Sequence, residues 1–125
     1  LVRSLNERGF TVALATNPLF PACAVATRLA WVGLTPDDFA LVTDYYNSST
    51  CKPNLDYYRS ILQTLGKQPE QCLMAGNSVA EDICAGTLGM TTYLVTDYIE
   101  DGGAAYTPHH RGTLNGLEIF LAGLK

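Results

Sequence analysis

The stretch Cys72-Leu73-Met74-Ala75-Gly76-Asn77-Ser78-Val79-Ala80-Glu81-Asp82-Ile83 constrains the fold more than any other part of the chain. It opens with a short apolar run, the pattern of a buried strand. Polarity switches at Gly76-Asn77, and a helical pattern is expected from Val79, because Val79, Ile83 and Leu88 lie about one and two turns apart. Ser78 and Glu81 have the spacing of a capping box, and Gly89 is a helix stop. A strand, a tight turn and a helix follow one another. In parallel α/β sheets that junction sits at the carboxyl edge, where ligands bind.

The rest of the chain repeats the alternation. Leu1, Val2 and Leu5 share a helix face, and Gly9 closes that segment. Phe10 to Ala15 reads as a strand, halted by Thr16-Asn17-Pro18, since proline disfavours helical geometry at the residue before it. A helix is expected from Pro21 to Gly33, apolar nearly all round and therefore heavily buried. Thr35 to Asp38 reads as a turn or short cap, and Phe39 to Thr43 as a strand. Cys51-Lys52-Pro53-Asn54 leads into a helix striped by Leu55, Tyr58, Leu62 and Leu65, with Gly66 as its stop. Thr91 to Val95 is a further strand, Asp97 to Gly112 a long loop, and Thr113 an N-cap for a last helix striped by Leu114, Leu117, Leu121 and Leu124. Strands alternating with helices imply βαβ units and a parallel sheet.

Composition narrows the function classes. The 125 residues carry a net charge of −4 and no basic run, so nucleic acid and anionic membranes are poor partners. No apolar stretch is long enough to span a bilayer. Cys23, Cys51, Cys72 and Cys84 form no CxxC pair and read as reduced thiols of a cytoplasmic protein. Length suggests a single domain. The chain starts at Leu1, inside an amphipathic pattern, so something N-terminal is expected to be missing.

Three polar junctions share one geometry: Thr16-Asn17 after a strand, Lys52 before a helix, and Gly76-Asn77 with Asp82 at a strand-to-helix turn. A hydroxyl, a backbone turn, an ammonium and a helix N-terminus are what a phosphate group needs. Amide or acidic oxygens beside it suit Mg²⁺. Each has a plainer explanation alone: a strand-end hydroxyl, a solvated lysine, a first-turn acid. The His109-His110-Arg111 cluster reads as exposed loop rather than metal site.

The order Ala13-Leu14-Ala15-Thr16-Asn17-Pro18, then Cys51-Lys52-Pro53-Asn54, then Gly76-Asn77-Ser78-Val79-Ala80-Glu81-Asp82-Ile83 resembles the haloacid dehalogenase superfamily, across most of the chain. The resemblance implies a three-layer, Rossmann-like α/β core with helices on both faces of a parallel sheet. It also implies a Mg²⁺-dependent phosphatase acting on a small phosphorylated metabolite. On that resemblance Thr16 and Lys52 are catalytic, and Thr16, Asn17 and Lys52 bind phosphate. Asn77 and Asp82 hold the metal.

Two departures qualify it. The family's first motif, a strand followed by Asp-x-Asp, does not precede Thr16, so the nucleophile and the strand that carries it lie elsewhere. This chain alone is expected to be inactive. Its sheet would be completed by its own N-terminal fragment or by a second copy. Asn77 stands where the family usually has aspartate, a weaker Mg²⁺ ligand. The alternatives are a non-catalytic phosphate-binding pseudo-enzyme, a metal-independent dehalogenase, or a generic flavodoxin-like binding domain.

Overall fold

A computed structural model describes residues 1–16, 21–44, 47–100 and 106–124. The chain divides into two compact units, Leu1–Cys51 and Lys52–Lys125. Both are α/β with parallel strands.

The first unit contains α1 (Val2–Glu7), β1 (Ala13–Leu14), α2 (Ala22–Ala30) and β2 (Leu41–Val42). β1 and β2 pair in parallel, with Ala13 opposite Leu41 and Leu14 opposite Val42. Gly9 takes φ of +85°, a left-handed geometry that glycine adopts without steric penalty. Pro36–Asp38 forms a 3₁₀ turn closed by a Thr35–Asp38 capping box, the short cap expected there. The Asp38 carboxylate accepts from Thr35 N–H at 2.8 Å and from Arg3 Nε at 3.2 Å, while Arg3 also donates to Gly33 O. α2 corrects the sequence reading. Only Val25 and Leu29 of this helix are buried, and Trp31 just beyond it is 76 % exposed. Its apolar character is largely alanine, chosen for helix propensity as much as for burial.

The second unit contains α3 (Leu55–Leu65), β3 (Leu73–Gly76), β4 (Thr91–Val95), β5 (His110–Gly112) and α4 (Leu114–Ala122). Its three strands run parallel in the order β3-β4-β5. Asn54 caps α3 through Asp56 N–H, and Gly66 ends it in left-handed geometry. Thr113 caps α4 by accepting from Gly116 N–H at 3.0 Å. The core gathers Tyr57, Tyr58 and Leu62 of α3, Met74 of β3, Tyr93 and Leu94 of β4, Ile83, Cys84 and Ala85, and Leu117 and Leu121 of α4.

Three expectations in this unit fail for physical reasons. The segment after Asn77 is not an α-helix from Val79: it turns through Asp82, and a 3₁₀ helix covers Ile83–Leu88. Local side-chain bonds to Ser78 and Glu81 N–H compete with helical pairing, and Gly86 gives little helix support. The loop from Asp97 to Gly112 contains β5, a polar edge strand that no apolar pattern reveals. Its His110 ring lies 4.6 Å from the Phe120 ring, centroid to centroid. Leu114 is 54 % exposed, so the stripe of α4 is anchored by Leu117 and Leu121. Among the described residues no helix is long and apolar enough to cross a membrane.

Candidate active site

The carboxyl end of β3 carries the charged centre of the second unit. Lys52 Nζ lies 2.6 Å from Asp82 Oδ1, and the side chains are only 10 % and 7 % exposed. A buried pair of this kind rarely exists for stability, because desolvating both charges offsets most of their attraction. Removing one partner is costly, since the other is left uncompensated.

The backbone is shaped around this carboxylate. Asp82 Oδ2 accepts from Ser78 N–H at 3.1 Å, folding the six-residue turn back on itself. Ser78 Oγ accepts from Glu81 N–H at 3.1 Å, which is half of the expected capping box. Gly76 is required by packing rather than by φ. A Cβ there would fall on the Asp82 carboxylate, with Asp82 Cβ only 2.8 Å away. From below, the Tyr58 hydroxyl donates to the Glu81 carbonyl, and Cys84 Sγ donates to the same oxygen at 3.3 Å. Burial, followed by the nearby Asp82 carboxylate, pushes the Tyr58 phenol well above its ordinary pKa and raises that of the Cys84 thiol. Both stay protonated and act as donors that hold the turn.

Asn77 opens the turn. Its Nδ2 donates to Tyr98 O at 2.8 Å, which orients the amide and leaves Oδ1 as its acceptor end. Asp82 and Asn77 together offer a carboxylate and an amide oxygen on one turn. Asp82 Oδ1 accepts from Lys52 and Oδ2 from Ser78 N–H, and a carboxylate oxygen has a second lone pair besides. That donor set fits the protein's share of a Mg²⁺ site, which takes one or two carboxylates and completes its octahedron with water and phosphate. Among the described residues no three His, Cys, Asp or Glu side chains gather into a metal-binding group.

Thr16 belongs to the first unit, two residues past β1. Its N–H donates to Thr43 Oγ1 at 3.0 Å, and the Thr43 hydroxyl donates to Thr16 O at 2.5 Å. Thr43 is 3 % exposed, so the end of β1 is tied to the end of β2 through a buried hydroxyl. Asn17 lies outside the described residues. The structure thus brings Lys52 and Asp82 into contact and sets Asn77 on the same turn. His109 is no ligand candidate: its Nδ1 accepts from Thr92 N–H at 3.1 Å, bracing the approach to β5.

Sequence reasoning missed Tyr58 as a part of this site, and it named Gly76 with the turn but not the packing that requires a glycine there. Tyr58 fell within an apolar stripe, and a hydroxyl on such a stripe was the available signal. Gly76 stood at the polarity switch, but the close approach of Asp82 is a tertiary fact.

Comparison with known proteins bears on the family and the fold. Residues 1–88 match the family model described as haloacid dehalogenase-like hydrolase. No curated protein matches the chain. Among solved structures, it resembles a HAD phosphatase from Thermococcus onnurineus, with 22 % identity and a TM-score of 0.75 over 98 % of this chain and 55 % of that one. It also resembles a predicted phosphoglycolate phosphatase from Haemophilus somnus, with 20 % identity and a TM-score of 0.74 over 95 % of this chain and 53 % of that one. A β-phosphoglucomutase from Clostridium difficile gives 18 % identity and a TM-score of 0.68, covering 97 % and 52 %. These likenesses concern the fold, and the chain spans about half the length of those three structures. With the family model covering residues 1–88, the chain belongs to the haloacid dehalogenase-like hydrolases.

Proposed function

We propose that the protein carrying this chain is a Mg²⁺-dependent phosphatase acting on a small phosphorylated metabolite in the cytoplasm. The observation that carries this reading is the buried Lys52–Asp82 pair at the carboxyl end of β3. A lysine held at 2.6 Å from a carboxylate is fixed in place and supplies a positive charge for a phosphoryl group. Asp82 orients Lys52, and the Ser78, Tyr58 and Cys84 contacts orient the turn that carries Asp82.

Thr16 and Asn17 take the remaining phosphoryl oxygens in this reading, through the Thr16 hydroxyl and the adjoining backbone. Asn77 and Asp82 would hold Mg²⁺. When bound, the ion would neutralise charge on the phosphoryl oxygens. The nucleophile, an aspartate, is assigned to a segment outside these 125 residues, as is the strand that would join the sheet. That strand would come from an N-terminal piece of the same protein or from a second copy. The 125 residues by themselves then hydrolyse nothing.

Chelation tests the metal part. The full-length protein should release inorganic phosphate from a generic phosphate ester only with Mg²⁺ present, lose this with a chelator, and regain it on adding Mg²⁺ back. Phosphate release that is indifferent to chelation would overturn it.

A further inference from the structure

Asn77 does two things that a single aspartate could not. Its side chain has a donor end and an acceptor end, and the donor end is committed. Nδ2 donates to Tyr98 O at 2.8 Å. Beside this bond, Glu100 N–H donates to Asn77 O at 2.8 Å, and Val79 N–H donates to Glu100 O at 2.9 Å. Residues 98–100 therefore run alongside residues 77–79 as a short parallel bridge, with Ser78 opposite Glu100. The two backbone bonds are available to any sequence. The side-chain bond needs a donor, which the amide supplies and a carboxylate does not.

We infer that Asn77 is a latch: its amide nitrogen fastens Tyr98–Glu100 to the candidate metal- and phosphate-binding turn, and this comes at the cost of weaker cation binding. The physical reason is the proton count. An aspartate at position 77 would set a carboxylate oxygen against the Tyr98 carbonyl oxygen, two acceptors with no hydrogen between them. Such a pair repels and separates. The same aspartate would bind a divalent cation better than the amide oxygen does. The latched segment carries Tyr98 and Ile99, which are 85 % and 42 % exposed. With Tyr98 so exposed, the polar bridge is what ties its end of the segment to the turn. The substitution that weakens metal binding is thereby the one that fixes a solvent-facing strip directly beside the turn.

The latch stands on geometry alone. The cation half of the inference rests on the proposed phosphatase reading, and one experiment separates the two. Amide hydrogen exchange without metal would compare the full-length protein with Asn77→Asp and Asn77→Ala. The amides of Val79 and Glu100 report the latch. The Thr96 amide, which donates to Gly112 O between β4 and β5, reports intact folding. With Thr96 protection unchanged, both variants should lose about tenfold in protection at Val79 and Glu100, the order expected for one hydrogen bond. A Mg²⁺ titration would follow on the same three proteins. Asn77→Asp should bind about tenfold more tightly than the wild type, and Asn77→Ala more weakly. Unchanged protection at Val79 and Glu100 in Asn77→Asp would overturn the latch. Lost protection with identical Mg²⁺ binding in all three proteins would uphold the latch and overturn the cation half, and with it the role of Asn77 as a metal ligand.

Discussion

The carboxyl ends of β1 and β3 are built for different work. After β1, a buried threonine hydroxyl ties Thr16 to Thr43, so the strand end is neutral and closed by hydrogen bonds. After β3, a lysine and an aspartate face each other in near-complete burial, on a turn that needs Gly76 to make room. The first arrangement is what a fold needs to hold a backbone still. The second contributes little to folding in itself, and its turn is held by contacts of Ser78, Tyr58 and Cys84. Two strand ends of the same class therefore differ in which of them holds charge.

Substitutions would sharpen the contrast. Lys52→Met leaves the Asp82 carboxylate buried without its ammonium, and should lower unfolding free energy by about 3–5 kcal/mol in denaturant titrations. Adding Asp82→Asn to that variant should recover part of the loss, because the uncompensated charge is gone. A double variant no more stable than Lys52→Met would break the idea that the pair is electrostatically coupled. Thr43→Val removes a neutral donor and acceptor at the other strand end. It should cost only about 1–3 kcal/mol, the range for stranding a buried partner. A larger loss than for Lys52→Met would reverse the comparison.

The smallest effect lies at the edge of the first unit. The Thr35 backbone N–H, then Arg3, hold the Asp38 carboxyl below its ordinary value. A depressed carboxyl stabilises the fold at pH values above the unfolded-state pKa, and the contribution disappears as pH falls through the folded one. The first unit should thus lose stability below about pH 4. The loss should shrink in Asp38→Asn, when thermal unfolding is followed against pH. Equal pH dependence in wild type and Asp38→Asn would exclude that contact as its source.

The parallel α/β class was legible from alternation of apolar runs with Gly and Pro stops, and β4 at Thr91–Val95 was predicted with its observed limits. Lys52 and Asp82 were legible as members of an ordered set, though thirty residues of sequence separate them. Their contact depends on α3 and β3 folding together, which periodicity does not encode. β5 was illegible because His110, Arg111 and Gly112 offer no apolar signal, and its pairing with β4 is wholly tertiary. The missing α-helix after Val79 has the same origin. A capping-box pattern fits either kind of turn, and the Asp82 carboxylate bond to Ser78 N–H decides between them.

We propose that the Lys52–Asp82 pair exists for phosphoryl chemistry. Phosphate release by the full-length protein, compared between wild type and a Lys52→Met variant at equal folded fraction, tests it most directly. The account predicts a fall of about a hundredfold or more, the magnitude associated with losing one fixed group that stabilises transition-state charge. Equal rates at equal folded fraction would contradict it, and would leave the buried pair a structural feature of the β3 turn.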